Sequence, residues 1–324
     1  MEPESVRAVL QQEYSRLKRM KALRPPWHGL TAAVIDGHES HATTRQCCAG
    51  CLERTLHTKK GDKVQYYHRY VAMRLVAGDM ELMLDMEPQR AGEDEVAAAM
   101  RLLERVLRAY PRAFNVIVAD GLYARAPFFN FARRRGKHVM AVLKDEQRDL
   151  IQDARALFAT MPPNIEERGS LHSEWWDAEG FTTWPQVHRP VRVVQSVEKR
   201  SVRQQIDGRD AQQTNNWFWV TTLPKSMAST RAVVELGHVR WHIENQGFNE
   251  LVNQWHADHV YKHHPTAMLV LWLLAMACVN TFMAFYRRNL KAAARRAVSM
   301  LHVCRLAAAE LYGGIPTGPQ AAPT

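Results

Sequence analysis

The spacing of apolar residues changes several times along this chain, and each change marks an element. Residues 2–22 carry a charged helical pattern that Pro25 and Pro26 end. "LTAAVI" (30–35) is a short apolar run of strand type, stopped by Asp36-Gly37. A polar loop with three cysteines and "HTKKGDK" is expected next. "VQYYHRYVAMRLV" (64–76) and "MELMLDME" (80–87) read as strands joined in a hairpin by Ala77-Gly78-Asp79. "GEDEVAAAMRLLERVLRAY" (92–110) is a helix with acidic residues in its first turn, where the helix dipole favours them. "FNVIVA" (114–119) is a buried strand, again stopped by Asp-Gly, at 120 and 121. A short helix over "RAPFFNFARRRG", a fifth strand "KHVMAVLK" and a helix over "DEQRDLIQDARALFA" complete this half.

From 161 to 224 the pattern turns to β-branched and alternating runs such as "RPVRVVQSV" and "WFWVTTL", which predict a β-rich insertion. Helical spacing then returns over 229–256, 265–287 and 292–312, before a Gly- and Pro-rich tail at 313–324. This order predicts an α/β fold: a mixed five-stranded sheet flanked by helices, built from residues 30–160 and 225–312, with a helical lead-in at 1–29 and the β-rich unit inserted. In "VRWHIENQGFNELVNQW" (239–255), Trp241, Phe248, Leu251 and Trp255 form one apolar stripe, and Glu244 falls within it. A carboxylate there needs compensation for its lost water.

Charge narrows the partners. The 324 residues carry a net charge of +10, which favours a polyanion: nucleic acid first, a membrane surface second. Five cysteines, few and odd in number, argue for a reducing compartment such as the cytoplasm, and the N-terminus lacks a signal-peptide core. "AMLVLWLLAMACV" (267–279) is shorter than the roughly 20 residues a membrane span needs, so a buried core helix is expected and no membrane partner.

Two strands deliver an aspartate at their carboxyl ends, "AAVIDG" at Asp36 and "VIVADG" at Asp120. Sites in α/β sheets collect at such ends. If the strands are neighbours, the two carboxylates repel unless a hard cation such as Mg²⁺ lies between them. An ordinary Asp-Gly turn is the other reading of each. Glu244 then reaches the same pocket, where three carboxylates can hold two metals. Arg240, at i−4 from Glu244, has two readings of equal weight: a phosphate clamp, or a salt bridge neutralising Glu244.

These residues resemble the DDE transposases of bacterial insertion sequences, in particular those with a β-rich insertion between the second aspartate and the glutamate, over roughly 30–290. Asp36 in "VIDGHE", Asp120 in "VADGLYA" and Glu244 in "RWHIENQGF" match the family's three carboxylates, separated by 84 and 124 residues. The resemblance implies a ribonuclease H-like core and a two-metal site for Mg²⁺ or Mn²⁺. It also implies DNA cleavage at terminal inverted repeats with transfer to target DNA, and a homodimer on DNA in the bacterial nucleoid. A non-catalytic regulator and a nuclease on the same fold are the alternatives. Two positions depart from the pattern: the family often has a tyrosine where Gly237 stands and a lysine where Leu251 stands. The short stretch before Asp36 predicts a short or truncated form.

Further basic residues suit DNA backbone contacts or simply solvated helix faces: Lys144, Arg134 in "FARRRGK", and Arg287 and Arg288 in "YRRNLKAAARR". Trp175, Trp176, Trp184, Trp217 and Trp219 suit either base stacking or core packing. In "CCAGC", Cys48 and Cys51 have the spacing of half a zinc site, with Cys47, His38 and His41 nearby, and buried or loop thiols are the other reading. His256, His259, His263 and His264 look metal-like by count but fall in a helix connection, where polar or phosphate-facing residues are expected and metal binding is the other reading.

Overall fold

A computed structural model describes residues 1–145, 148–203, 210–311 and Gly313, so the rest of the 313–324 tail lies outside the described residues. The elements are α1 (Pro3–Arg19), β1 (Ala32–Thr43), β2 (Leu52–Thr58), β3 (Gly61–Ala77), β4 (Met80–Pro88), α2 (Glu95–Ala109), β5 (Val116–Ala119), α3 (Ala126–Arg134), β6 (His138–Val142) and α4 (Arg148–Phe158). They continue with β7 (Asn164–Arg168), β8 (Leu171–Phe181), β9 (Val191–Arg203), β10 (Asp210–Thr221), α5 (Thr230–Val239), α6 (Asn249–Asn253), α7 (Pro265–Asn289), α8 (Ala292–Ala297) and α9 (Met300–Leu311).

The sheet runs β2-β3-β1-β5-β6-β10-β9-β8-β7, with β4 also paired to β3. The expected five strands are its centre. β1 is antiparallel to β3, and β1, β5 and β6 are parallel neighbours joined through helices. The sheet is nevertheless larger than five strands. β10 pairs antiparallel with β6 at Thr221↔Met140, so the four strands of the 161–224 stretch extend the same sheet. A buried Arg192–Asp177 pair at 2.6 Å pins this extension, with Arg192 also donating to the carbonyl of Ala228.

The "HTKKGDK" segment is not a loop. It is the tip of a hairpin in which β2 pairs with the first residues of β3, Leu52↔Tyr67 to Thr58↔Gly61. Its residues are mostly exposed, so no alternation betrayed the strand. One edge of the 17-residue β3 is thereby shared, by β2 toward one end and β4 toward the other.

Each sheet face is covered. Ala33 and Ile35 pack with α2, α3 and α4, while Ala32 and Val34 face α5 and α7. The helix α7 is long and apolar enough to cross a membrane, but Trp272, Leu273 and Met276 are buried in the core. Asn280, which interrupts its apolar run, bonds both N–H and C=O of Met83 on β4. Expected helices at 229–256 and 292–312 are each broken. The first gives α5, a π-helical turn (Ile243–Phe248) and α6; the second gives α8 and α9.

Candidate metal centre at the carboxyl ends of the parallel strands

The register between β1 and β5 is a constant offset of 84 residues, from Ala32↔Val116 to Val34↔Val118. Carried two residues further, it brings Asp36 level with Asp120. Backbone amides orient both carboxylates: Gly37 N–H donates to Asp36 Oδ1 at 2.8 Å, and Leu122 N–H to Asp120 Oδ1 at 2.8 Å. Asp36 is buried (9 % exposed). Its carboxyl is pushed up to about 8, first by burial, then by the charge of Asp120, with Glu244 and Glu95 adding to it. The four acids therefore share one electrostatic environment.

Glu244 reaches it by a route the apolar spacing did not show. It is not in the buried stripe: its side chain is 47 % exposed, and Trp241 is exposed as well. The buried positions are Leu236, Val239, Ile243, Phe248 and Leu251. The step of five from Ile243 to Phe248 is the π-helical turn, which shifts the phase of the helix by one residue. β-strand residues hold that turn in place. Arg74, 1 % exposed, donates to the carbonyl of Gln246, and its Nε bonds Glu81 at 2.8 Å. His242 Nδ1 lies 2.9 Å from the same Glu81. The ring of His38, two residues after Asp36, stacks on Phe248 at 4.6 Å. Since Arg74 pairs with Val34 and Ala72 with Asp36 in the β1–β3 register, these anchors lie on the face that Asp36 presents.

Sequence reasoning missed Glu95, taken there only as a favourable acid in the first turn of α2. It is buried, accepts from the Tyr123 hydroxyl at 2.7 Å, and lies 3.5 Å from Arg69. Burial holds its carboxyl above the ordinary range, with Asp120 adding to the rise. Gly37 admits it: a Cβ there would lie 2.3 Å from the Glu95 carboxyl carbon. The spacing of Gly37 directly after Asp36 was the available signal.

Of the basic candidates, Lys144 and Arg240 are at the centre. The stem of Lys144 lies over Gly121, whose added Cβ would be 2.8 Å from it. Arg240 Nη1 bonds Glu244 Oε1 at 3.0 Å, so the salt-bridge reading describes this structure. Arg134 ends α3 just before β6 begins, at the opposite end of the parallel strands. Arg287 and Arg288 end α7 about 10 Å of helix beyond Asn280, also away from the carboxylates. Trp175, Trp184 and Trp219 are core residues, and Trp176 donates to the carbonyl of Met161. Trp217 stacks on Trp219 and meets Trp241 edge-on, on the sheet extension.

The two departures from the family pattern are explained by packing. A Cβ on Gly237 would lie 2.3 Å from the Trp219 ring, and Leu251 is fully buried. Cys48 and Cys51 lie elsewhere, near the outer part of β3, beside His68 and His263. His263 is thus not phosphate-facing as expected.

A family model described as a transposase DDE domain matches residues 27–281. No curated protein matches. Among solved structures, a piggyBac transposase synaptic complex with hairpin DNA is similar at a TM-score of 0.48 and 11 % identity. The match covers 95 % of this chain and 59 % of that one, so the chain spans little more than half of it.

Proposed function

The chain belongs to the transposase DDE-domain family, and on that footing we propose that it cleaves DNA at the ends of a mobile element and joins the freed 3′-hydroxyl to target DNA. The observation that carries this reading is the register that levels Asp36 with Asp120; the rise of the Asp36 carboxyl, first from burial and then from the charges of Asp120 and Glu244, accords with it. A buried Asp36 carboxylate repelled by the neighbouring Asp120 and Glu244, all hard oxygen donors, fits a divalent cation, whose charge reverses the penalty. Asp36, Asp120 and Glu244 would hold Mg²⁺ or Mn²⁺. When bound, the ions activate the attacking oxygen and stabilise the leaving oxygen of a phosphodiester.

The chain's own groups set the rest. Amides of Gly37 and Leu122 fix one oxygen of each aspartate and leave the second for a ligand. Arg74, Glu81 and His38 position the turn that carries Glu244. Arg240 and Lys144, beside the carboxylates, suit contact with the phosphates of DNA, whose strength falls with salt. Two copies, each holding one element end, are the proposed assembly.

The test is incubation of the purified chain with Mg²⁺ or Mn²⁺ and plasmid DNA carrying the sequences that flank its gene. Metal-dependent cleavage at the element boundary, joined products and their loss in Asp120→Asn are expected. Intact DNA with folded protein would sink the catalytic reading, and cleavage without joining would leave a nuclease.

A further inference from the structure

We propose that Cys48, Cys51, His68 and His263 form a structural zinc site. The Sγ atoms of Cys48 and Cys51 are 3.8 Å apart. His68 Nε2 lies 3.4 Å from Cys48 Sγ and 3.5 Å from Cys51 Sγ. His263 Nε2 lies 3.6 Å from Cys51 Sγ and 3.1 Å from His68 Nε2, and all four atoms fall within 4.8 Å of one another. Zinc bonds of about 2.3 Å to sulfur and 2.0–2.1 Å to nitrogen, arranged tetrahedrally, require separations of about 3.8 Å for S–S, 3.6 Å for S–N and 3.3 Å for N–N. The measured distances fit each kind.

Hydrogen bonding alone does not account for the cluster. Thiols are weak partners, and two imidazole nitrogens facing each other share a single hydrogen. A two-iron cluster would place the sulfur pair and the nitrogen pair on different irons, which the short S–N distances exclude. With four protein ligands the site is closed, so its role is structural.

The local chain is built for it. Cys51 N–H donates to the Cys48 carbonyl at 3.2 Å, closing the turn that aims both sulfurs inward. Gly50 in that turn lies against Pro265, the first residue of α7, where a Cβ would be 2.8 Å from the proline ring. Cys51 and His68 are buried. The ion would tie the turn before β2 and the strand β3 to the segment entering α7, joining residues 212 apart. Binding free energy at such a site is folding free energy for the segments it joins. His41 and Cys47 also lie near His263, but Cys47 is exposed and with them makes only three ligands.

The test is metal analysis of the full-length chain purified without added metal, followed by cobalt exchange. One zinc per chain is expected, replaced by cobalt with thiolate-to-cobalt absorption and the visible bands of a tetrahedral ion. Cys48→Ser and His263→Ala should lose it, while Cys47→Ser and Asp120→Asn retain one zinc. If the ligand variants do not fold, release of zinc from the folded wild-type chain by a thiol-blocking mercurial gives the same answer. Folded protein that carries no zinc and yields no thiolate-to-cobalt absorption overturns the site. So does zinc retained by folded Cys48→Ser or lost on Asp120→Asn.

Discussion

Asp36→Asn tests the electrostatics of the carboxylate centre. The Asp36 carboxyl stands at about 8 in the metal-free fold, against an ordinary value of 3.8. Between these limits the folded chain holds a proton that the unfolded chain has released. Stability therefore falls as pH rises through that window, opposite to the usual carboxylate. The interval is about four pH units, and each is worth about 1.4 kcal/mol, so the loss has an upper limit of about 5–6 kcal/mol. Asparagine keeps an oxygen for the Gly37 amide and cannot ionise. Urea unfolding of both proteins in chelator, from pH 4.5 to 8.5, reads the effect. The variant should match wild type at the acid end and gain on it steadily, by several kcal/mol at pH 8. Titrating groups remote from this centre cancel in the difference. In wild type, Mg²⁺ should recover stability most above pH 8, where it no longer displaces a proton. A wild-type-minus-variant difference that does not change with pH refutes the reasoning.

Three further substitutions probe the frame. Gly37→Ala puts a Cβ 2.3 Å from the Glu95 carboxyl carbon and should cost about 1–3 kcal/mol in denaturant unfolding, with Glu95→Ala restoring part of it. Gly237→Tyr, which reinstates the residue the family often has, should destabilise rather than improve DNA binding because Trp219 occupies its space, and the measured unfolding midpoint should fall. Arg74→Met leaves Glu81 with His242 as its remaining partner and strands the Gln246 carbonyl; about 1–3 kcal/mol of lost stability and a loss of Glu244-dependent cleavage are expected.

The two strand-end aspartates were legible because a strand stopped by Asp-Gly is a local pattern, whereas the adjacency of their strands was only a condition, which the β1–β5 pairing meets. Glu244 was singled out in part for a mistaken reason. A regular 3.6-residue period placed it in the buried stripe, whereas the π-helical turn, held by Arg74 from another strand, resets the phase. β2 left no trace because a mostly solvated hairpin needs no apolar alternation. Glu95 was hidden since its burial depends on Gly37 lying beneath it in three dimensions. Half of the cysteine–histidine cluster was visible as a C-x₂-C spacing, while His68 and His263 join it only through folding. The extent of the sheet was not readable either, as nothing in the 161–224 stretch says that β10 pairs with β6.

The central claim is that Asp36, Asp120 and Glu244 hold the metal that acts on DNA. Anomalous diffraction from crystals soaked in Mn²⁺ tests it most directly. Manganese bound by Asp36 and Asp120, with Glu244 at the same centre, is the result expected. Anomalous density at the cysteine–histidine cluster alone, with none between the two aspartates, would contradict it.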